Sequence, residues 1–254
     1  MPTQTSYKQG TFSWVDLVTR DANAAKQFYG ALLGWSFDDL PGHTMCKLNG
    51  QAVAAIIQYG DERAYWNIYV AVDDIEETTR KAAASGGTVV QEPFEIPGAG
   101  RTAVVKDPSG AALALWQATG HIGAGVRDEP GALCWNELYT TNSAAAGKFY
   151  ASTLGWQMET MDMGPAGTYT LFQRAGEGKA GNVGGMADMP PGLKDVPSHW
   201  VAYFQVTDVD AATRKARDLG AKVNMEPMDI PQIGRFSLLH DPQGAGFALF
   251  QMGH

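Results

Sequence analysis

The chain has 254 residues, of which 44% are apolar and 18% charged, and a formal net charge of -8. This composition is typical of a globular chain with a buried core, and the excess of acids argues against nucleic acid or an anionic membrane as a partner. No apolar run approaches the roughly 20 residues of a membrane-spanning helix. The polar N-terminus lacks the apolar core of a signal peptide, so we expect a cytoplasmic location.

The two cysteines, Cys46 and Cys134, fall in separate predicted strands. Neither has another Cys or a His nearby at the spacing of metal ligands. We therefore expect two buried free thiols, which is the usual state of cysteine in a reducing compartment.

The first quarter of the chain has a strand–helix–three-strand pattern. After a polar arm, which is expected to fray, residues 11–19 have the composition of a strand. Asp21 is the predicted N-cap of a helix that Gly34 ends. Three short strands follow, two of them joined at Asn49-Gly50, the strongest short signal for a hairpin. The segment is therefore one predicted βαβββ module.

The same order of elements restarts in the second quarter. A strand that begins at Trp66 leads to a helix capped by Asp73 or Asp74, and three more strands end at Gln117. Residues 119–130 are rich in glycine and charge and are predicted to form a linker.

The second half of the chain repeats the first. Trp135 matches Trp14 at an offset of 121, and further along the offset becomes 134, so the second half is 13 residues longer. We predict two domains, 8–118 and 131–252. The extra residues fall within 164–197, where Gly, Pro and Met are frequent. That segment is either a surface loop or an adaptable wall over a cavity, because Met repacks around irregular apolar ligands.

One stretch is repeated more closely than the rest. Residues 92–117 and 226–251 share 13 of 26 positions, including an Asp-Pro-x-Gly turn that begins at Asp107 in the first copy. Any function is therefore expected to rest on a duplicated unit. The stretch also contains one arginine per half, Arg101 and Arg235, which either contacts an anionic group or pairs with an acid at the sheet edge.

Four βαβββ modules in two pairs resemble the vicinal oxygen chelate superfamily, which includes glyoxalase I, extradiol dioxygenases and bleomycin- and fosfomycin-resistance proteins. The likeness rests on the strand–helix–Phe-Tyr–Leu-Gly-Trp run over residues 14–35, its copy over 135–156, and the two Asp-Pro-x-Gly hairpins. The resemblance implies an α+β fold of two tandem domains, each with paired βαβββ modules that form a U-shaped sheet around a cavity. Such tandem chains are also similar to glyoxalase-like proteins of actinobacteria, some from antibiotic gene clusters. Activity is left open, because this fold hosts lyases, isomerases, oxygenases, transferases and binders.

In this superfamily the metal ligands, usually His, Glu or Gln, occupy fixed strand positions. At the corresponding positions only one residue, an asparagine, carries a donor side chain suited to a divalent cation: Trp14, Trp135, Asn67, Val201, Ala114 and Ala248. We therefore expect no metal cofactor. A displaced site is the alternative, since Asp16 and Glu137 share a strand face with the tryptophans and His199 lies beside that face.

Strand periodicity and the resemblance together indicate which side chains line the two cavities. In the first cavity they are Trp14, Asn67, Tyr69 and Trp116. In the second they are Trp135, Tyr139, Met186, His199, Tyr203, Gln205 and Phe250. Aromatic walls with a single carboxylate suit a flat organic ligand; alternatively, the large side chains simply fill each groove.

We therefore predict a monomer or homodimer that binds a small aromatic or carbonyl-bearing metabolite, a class that includes antibiotic-like molecules, and sequesters it or acts on it without a metal. Glu137 or Asp16 is the expected general acid or base, with a pKa raised by apolar neighbours. The second cavity, with the extension and the longer acid, is predicted to be the principal site. The alternatives are a metal-dependent lyase or isomerase of the glyoxalase type with displaced ligands, and a structural protein with both grooves filled.

Overall fold

The computed structural model describes residues 3–60, 64–163, 167–189 and 196–253. The first half contains two helices, α1 (Ala22–Leu33) and α2 (Ile75–Ala84). Its eight strands are β1 (Phe12–Thr19), β2 (Ser36–Leu40), β3 (His43–Leu48), β4 (Gln51–Gln58), β5 (Tyr65–Ala71), β6 (Thr88–Ile96), β7 (Gly100–Lys106) and β8 (Ala112–Ala118).

The second half has the same order of elements, and its described residues also include a short 3-10 helix at Gly178–Gly181. Its helices are α3 (Ser143–Leu154) and α4 (Val209–Asp218). Its strands are β9 (Leu133–Thr140), β10 (Trp156–Asp162), β11 (Thr168–Arg174), β12 (Asn182–Asp188), β13 (His199–Gln205), β14 (Lys222–Ile230), β15 (Gly234–His240) and β16 (Gly246–Met252).

Each half forms its own eight-stranded mixed sheet. The strand order is β2-β3-β4-β1-β5-β8-β7-β6 in the first and β10-β11-β12-β9-β13-β16-β15-β14 in the second. Each βαβββ module thus supplies one side of a sheet, and the first strands of the paired modules meet at its centre. The predicted tandem α+β fold is confirmed. Among the described residues, no helix has both the length and the apolar character needed to cross a membrane.

The helix ends follow the predicted capping residues. Asp21 Oδ1 accepts a hydrogen bond from Ala24 N at 2.9 Å, and Gly34 ends α1 with a left-handed φ of 77°. At α2 the cap is Asp74, whose Oδ1 accepts from Glu77 N at 2.9 Å. These bonds satisfy N–H groups that a helix start leaves without partners, so the helices begin where the sequence predicts.

The two halves share one apolar core. Helix α1 packs on α4 and α2 on α3, so the helix-bearing faces of the two sheets are turned toward each other. Aromatic rings join across the boundary, with 5.2 Å between the ring centroids of Trp66 and Phe204 and 5.7 Å between those of Tyr29 and Phe247. The opposite face of each sheet, here called the inner face, carries Trp14 in the first half and Trp135 in the second.

The repeated Asp-Pro-x-Gly turn connects the halves to each other. Asp107 Oδ1 accepts hydrogen bonds from Ser109 N and Ala111 N within its own turn. Asp107 Oδ2 accepts from the Tyr150 hydroxyl of the other half at 3.1 Å. The copy of this turn likewise receives Tyr29 Oη, at 3.0 Å. The most closely repeated stretch is therefore part of the scaffold.

The arginines of that stretch pair with acids at the sheet edge. Arg101 forms an ion pair with Glu76, and Arg235 Nε lies 2.8 Å from Asp210 Oδ2. Both acids lie in the first turn of a helix, where the helix dipole also favours negative charge. Of the two predicted roles for these arginines, the pairing role is the one observed.

The extra residues of the second half are divided among three connections. The offset between equivalent residues is 126 at Thr44 and Thr170, and it is 130 at Ala55 and Gly185. The insertions therefore fall between β10 and β11, between β11 and β12, and between β12 and β13. Residues 164–166 and 190–195, which include part of the predicted adaptable wall, lie outside the described residues.

The predicted linker packs across the inner face of the first sheet. Residues 119–130, here called the strap, run from β8 to β9, and Ala124 N donates to Ser13 O at 2.8 Å. The N-terminal arm lies on the strap, since Tyr7 Oη donates to Ala124 O at 2.6 Å and Gln4 N to the next carbonyl at 2.9 Å. The expectation of a frayed arm is wrong for these residues, because the arm and the strap bond to each other.

Candidate ligand-binding site

The first inner face contains a buried carboxyl group. Asp16 is 3% exposed, and it accepts hydrogen bonds from Asn67 Nδ2 at 2.8 Å and from Tyr69 Oη at 2.6 Å. Burial raises the pKa of Asp16 to about 6, against the opposing effects of both hydrogen bonds and of His43. The predicted residues Asp16, Asn67 and Tyr69 therefore form one cluster, and both oxygens of the carboxyl group already have partners.

The second inner face contains a larger cluster built on the same strand position. Glu137 Oε2 accepts from Tyr169 Oη at 2.8 Å, and Oε1 accepts from Tyr203 Oη at 3.2 Å. The hydroxyls of Tyr139 and Tyr203 are 3.3 Å apart. Burial raises the pKa of the Glu137 carboxyl, although the tyrosine hydroxyls act in the opposite direction. The site therefore gathers one carboxyl and three phenol groups in a low-dielectric setting.

Trp135 connects this cluster to the surface. Its indole Nε1 donates to Tyr169 Oη at 3.1 Å, and that hydroxyl in turn donates to Glu137. Trp135 and Tyr169 are partly exposed, whereas Glu137 is 8% exposed. A molecule that approaches the inner face therefore meets the aromatic side chains before the carboxyl group.

Gly185 makes room for this arrangement. It pairs with Glu137 on the neighbouring strand, and a Cβ atom at this position would lie 1.9 Å from Tyr169 Oη. The equivalent residue of the first half is Ala55, where His43 takes the place of Tyr169. The tyrosine can therefore reach the carboxyl group only if residue 185 has no side chain.

We expect Gly185→Ala to displace Tyr169 and to lower the free energy of unfolding by about 1–3 kcal/mol, because Glu137 then loses a buried hydrogen bond. Urea unfolding followed by circular dichroism measures this. The matched control is Ala55→Gly, which removes a Cβ at the equivalent strand position and should cost about 0.5–1 kcal/mol. A Gly185→Ala protein as stable as the unmodified chain would contradict the steric argument.

The other predicted residues of the second cavity lie around the cluster. His199 stacks on Tyr139 with 5.9 Å between ring centroids, and its Nδ1 is 2.8 Å from Pro197 O. Phe250 packs in the apolar group that surrounds Tyr203. Gln205, on the same strand as Tyr203, is partly exposed, and its Oε1 has no hydrogen-bond partner in the described part of the chain.

Met186 does not line the second cavity. It is 3% exposed and belongs to the core on the helix side of the sheet. Its neighbour Gly185 pairs with Glu137, so strand alternation sends Met186 to the opposite face, toward Gly147 of α3. Met158 also contacts Gly147. The prediction that Met186 lines the second cavity is therefore wrong.

In the first half the predicted cavity is occupied by the chain itself. The imidazole of His121, a strap residue, lies 4.5 Å from the Trp14 ring at an angle of 88° and 6.0 Å from the Trp116 ring. Trp116 Nε1 donates to His121 O at 2.8 Å. Trp14 and Trp116 are 7% and 5% exposed as a result. Two of the predicted ligand-binding residues of the first half, Trp14 and Trp116, thus pack against a side chain of the strap.

Beside the second inner face lies a cleft of about 420 Å³. One wall is formed by the second sheet and the other by the N-terminal arm and the end of the strap. Its lining includes Cys134, Trp135, Arg174 and Asn182 from the sheet, and Tyr7, Lys8 and Arg127 from the arm and strap. Cys134, predicted to be buried, is partly exposed in this cleft, whereas Cys46 is buried.

The side chains present do not fit the metal that the fold implies. On the inner faces, the strand positions expected to hold ligands carry indole, amide, isopropyl and methyl groups: Trp14, Trp135, Asn67, Val201, Ala114 and Ala248. Asp16 and Glu137 are engaged by tyrosine and amide donors. Within the described ranges no three residues among His, Cys, Asp and Glu are grouped so that they could hold an ion.

Comparison with known proteins agrees with the fold. A sequence profile of the Glyoxalase/Bleomycin resistance protein/Dioxygenase superfamily matches residues 11–115 and 126–249. The chain belongs to this superfamily. Within it, the chain is 42% identical over 262 residues to "Putative glyoxylase CFP32" of Mycobacterium bovis, and the alignment covers 99% of this chain and 98% of the relative. It is also 34% identical to "Anthracycline biosynthesis protein DnrV" of Streptomyces peucetius, with 98% and 95% covered.

Solved structures of the superfamily have the same architecture at low sequence identity. The Mn(II)-bound glyoxalase of Novosphingobium aromaticivorans superposes with a TM-score of 0.67 at 18% identity, covering 96% of this chain and 83% of that one. At this level of identity the likeness concerns the fold, so the chemistry has to be argued from the residues of this chain.

Three important residues of the sites were not predicted from the sequence. Tyr169 and Gly185 complete the Glu137 cluster, and His121 fills the first cavity. Tyr169 could have been found by aligning the two halves. It occupies the position in β11 that His43 occupies in β3, and His43 acts on Asp16, the counterpart of Glu137. His121 lies in a segment whose composition indicated only a linker.

Proposed function

We propose that the protein binds a flat aromatic or carbonyl-bearing organic molecule at the inner face of the second sheet. In this proposal it sequesters the molecule or acts on it without a metal, in the cytoplasm. The observation that carries the proposal is the Glu137 cluster, in which a carboxyl group and the hydroxyls of Tyr169, Tyr203 and Tyr139 meet among aromatic rings. Aromatic surface with a few placed polar groups is the usual composition of a small-molecule site.

The ionisation of the cluster suits a carbonyl-bearing ligand. Burial raises the pKa of Glu137, so its carboxyl group stays protonated to higher pH than an exposed glutamate, and a protonated carboxyl can donate a hydrogen bond. Burial also raises the pKa values of Tyr169 and Tyr203, which therefore remain hydroxyl donors. If a reaction occurs, Glu137 is the group that can give or take a proton at the ligand oxygen.

The relatives support the same ligand class. A protein 34% identical to this chain is named for anthracycline biosynthesis, and anthracyclines are flat polycyclic molecules with ring carbonyls. A relative at 42% identity is named as a glyoxylase, a name that points to a carbonyl compound. These names fit a ligand that combines a planar ring with carbonyl oxygens.

The test is a calorimetric titration with alizarin, a hydroxylated anthraquinone. We expect binding that Glu137→Gln weakens by about 1–3 kcal/mol, the usual effect of mismatching a buried polar partner, or about 5- to 150-fold in Kd. Asp16→Asn is the matched control, because it makes the same change at the equivalent position of the covered first cavity. An equal loss in both variants, or binding that ignores Glu137→Gln, would refute the assignment.

A metal-dependent lyase or isomerase of the glyoxalase type is the second candidate, supported by the name of the 42% identical relative. It requires ligands displaced from the usual strand positions, with Glu137 or Asp16 among them. Elemental analysis of protein purified without chelator separates the candidates. One tightly held Zn, Ni, Mn or Fe ion per chain, lost in Glu137→Ala, would favour the enzyme.

A further inference from the structure

The strap shows what the inner face of the first sheet can hold. Its aromatic element is the His121 ring, held against Trp14 and Trp116. Its backbone element consists of two N–H groups that reach strand carbonyls: Ala124 N donates to Ser13 O at 2.8 Å, and the next residue donates to Ala52 O at 2.7 Å. The first groove therefore holds a ring and two amide N–H donors.

In the second half, the residues that the structure describes leave the same groove open. The strand registers make Cys134 the counterpart of Ser13, Trp135 that of Trp14, Asn182 that of Ala52 and Phe250 that of Trp116. Three of these four counterparts, Cys134, Trp135 and Asn182, line the cleft of about 420 Å³. The cleft therefore coincides with the place that the strap fills in the first half.

The aromatic residues of the two grooves differ in exposure in the same way as the grooves themselves. Trp14 and Trp116, which the strap covers, are buried, whereas Trp135 and Phe250 are partly exposed. Partly exposed aromatic side chains beside a cleft of this size are suited to small-molecule binding, since such sites have volumes of roughly 300–1,000 Å³. Among the described residues, the two copies therefore differ in the strap, which covers the first groove and has no counterpart over the second.

We propose that the cleft of the second half binds an aryl amide, a molecule that joins an aromatic ring to amide N–H donors. The ring lies against Trp135 on the side of Phe250, and the N–H groups reach the strand edges at Cys134 and Asn182. The proposal deepens the proposed function and rests on it for the choice of the second inner face. It differs by naming a subsite and the hydrogen-bonding pattern of its ligand.

The remaining walls of the cleft suit the carbonyl oxygen of an amide. Arg127 and Arg174 line it, and their guanidinium groups carry N–H donors of the kind that a carbonyl oxygen accepts. Arg174 is otherwise held by Thr11 Oγ1 at 2.8 Å and by Glu177. Tyr7 adds an aromatic ring to the wall, and its hydroxyl is held by Ala124 O at 2.6 Å.

The strap itself supplies the probe. The peptide acetyl-His-Ile-Gly-Ala-Gly-amide reproduces residues 121–125, and acetyl-Ala-Ile-Gly-Ala-Gly-amide removes only the ring. N-benzoylglycinamide is the small-molecule counterpart. In calorimetric titrations of the full chain we expect the His peptide or N-benzoylglycinamide to bind at least tenfold more tightly than the Ala peptide. Binding of N-benzoylglycinamide alone identifies a small aryl amide as the ligand type; binding of the His peptide alone identifies a peptide.

Two variants place the probe in the cleft. Cys134→Phe places a bulky ring at the part of the cleft where the probe's N–H groups bind, and Trp135→Ala removes the ring platform. Each should weaken probe binding at least tenfold if the variant retains the circular dichroism spectrum of the parent. Absence of ring-dependent binding to the unmodified chain at millimolar concentration overturns the proposal without reference to any variant. Retained binding in a folded Cys134→Phe protein also overturns it.

The outcome is separable from that of the alizarin experiment. If alizarin binds in a Glu137-dependent way and neither aryl amide binds, the proposed function stands and the aryl amide subsite is wrong. If an aryl amide binds with the expected ring dependence while Glu137→Gln has no effect on alizarin, the cleft is a site and the Glu137 cluster is not its polar anchor.

Discussion

Tyr29→Phe is expected to lower the free energy of unfolding by about 2–4 kcal/mol, because one hydroxyl satisfies two buried partners. Tyr29 Oη donates to Asp241 Oδ2 at 3.0 Å and accepts from Trp66 Nε1 at 3.2 Å. Asp241 belongs to the other half, and burial raises its pKa. Loss of the hydroxyl leaves a carboxyl oxygen and an indole N–H without partners inside the shared core.

Tyr150→Phe should have an effect of the same size, because the second half makes the mirror arrangement. Tyr150 Oη donates to Asp107 Oδ2 at 3.1 Å and accepts from Trp200 Nε1 at 2.9 Å. The double variant should lose close to the sum of the two effects, since the networks do not share a residue. Urea unfolding of the three variants measures these values.

The control for both tyrosines is Tyr59→Phe, since Tyr59 is 76% exposed and its replacement should change stability by less than about 0.5 kcal/mol. A loss below about 1 kcal/mol in Tyr29→Phe and in Tyr150→Phe would contradict the argument that these bonds fasten the halves together.

The architecture was predictable because its signals are local. Caps such as Asp21 and turns such as Asn49-Gly50 act within a few residues, and two offsets in the sequence reveal the duplication. The high sequence identity between the two copies of the Asp107 turn was harder to interpret, because it could indicate either a functional site or the scaffold. Both halves need that turn for their mutual contact, so identity between the copies marks the scaffold, whereas the sites differ between the copies.

The site could be predicted only in part, because its missing members depend on long-range register. Glu137, Tyr139 and Tyr203 follow from strand alternation, but the facing of Met186 depends on how β12 pairs with β9. A shift of one residue in that pairing would exchange Met186 and Gly185 between faces. The position of His121 is set by contacts of the strap with a strand more than a hundred residues earlier in the chain. A local pattern of apolar and polar residues cannot predict such a contact.

The buried carboxyl of Asp16 should make stability depend on pH. Its pKa is raised from 3.8 to about 6, chiefly by burial, while Tyr69, Asn67 and His43 lower it. The native state therefore holds this proton more tightly than the unfolded chain does. The resulting stabilisation is complete below the unfolded pKa and is lost as the pH rises through about 6.

Above pH 7 the loss from Asp16 amounts to about 3 kcal/mol, at about 1.4 kcal/mol per pKa unit. Asp16→Asn has no proton to lose, so between pH 4 and pH 7.5 its free energy of unfolding should fall by about 2.4 kcal/mol less than that of the unmodified chain, since a small part of the loss has already occurred at pH 4. Urea unfolding at both pH values measures the difference, and comparing the two proteins cancels the titration of the other acids.

Asp73→Asn, at an exposed position, is the control and should follow the unmodified chain. Parallel pH profiles for Asp16→Asn and the unmodified chain would show that the carboxyl is hydrated or compensated, and would remove the basis for treating the covered first cavity as a low-dielectric site.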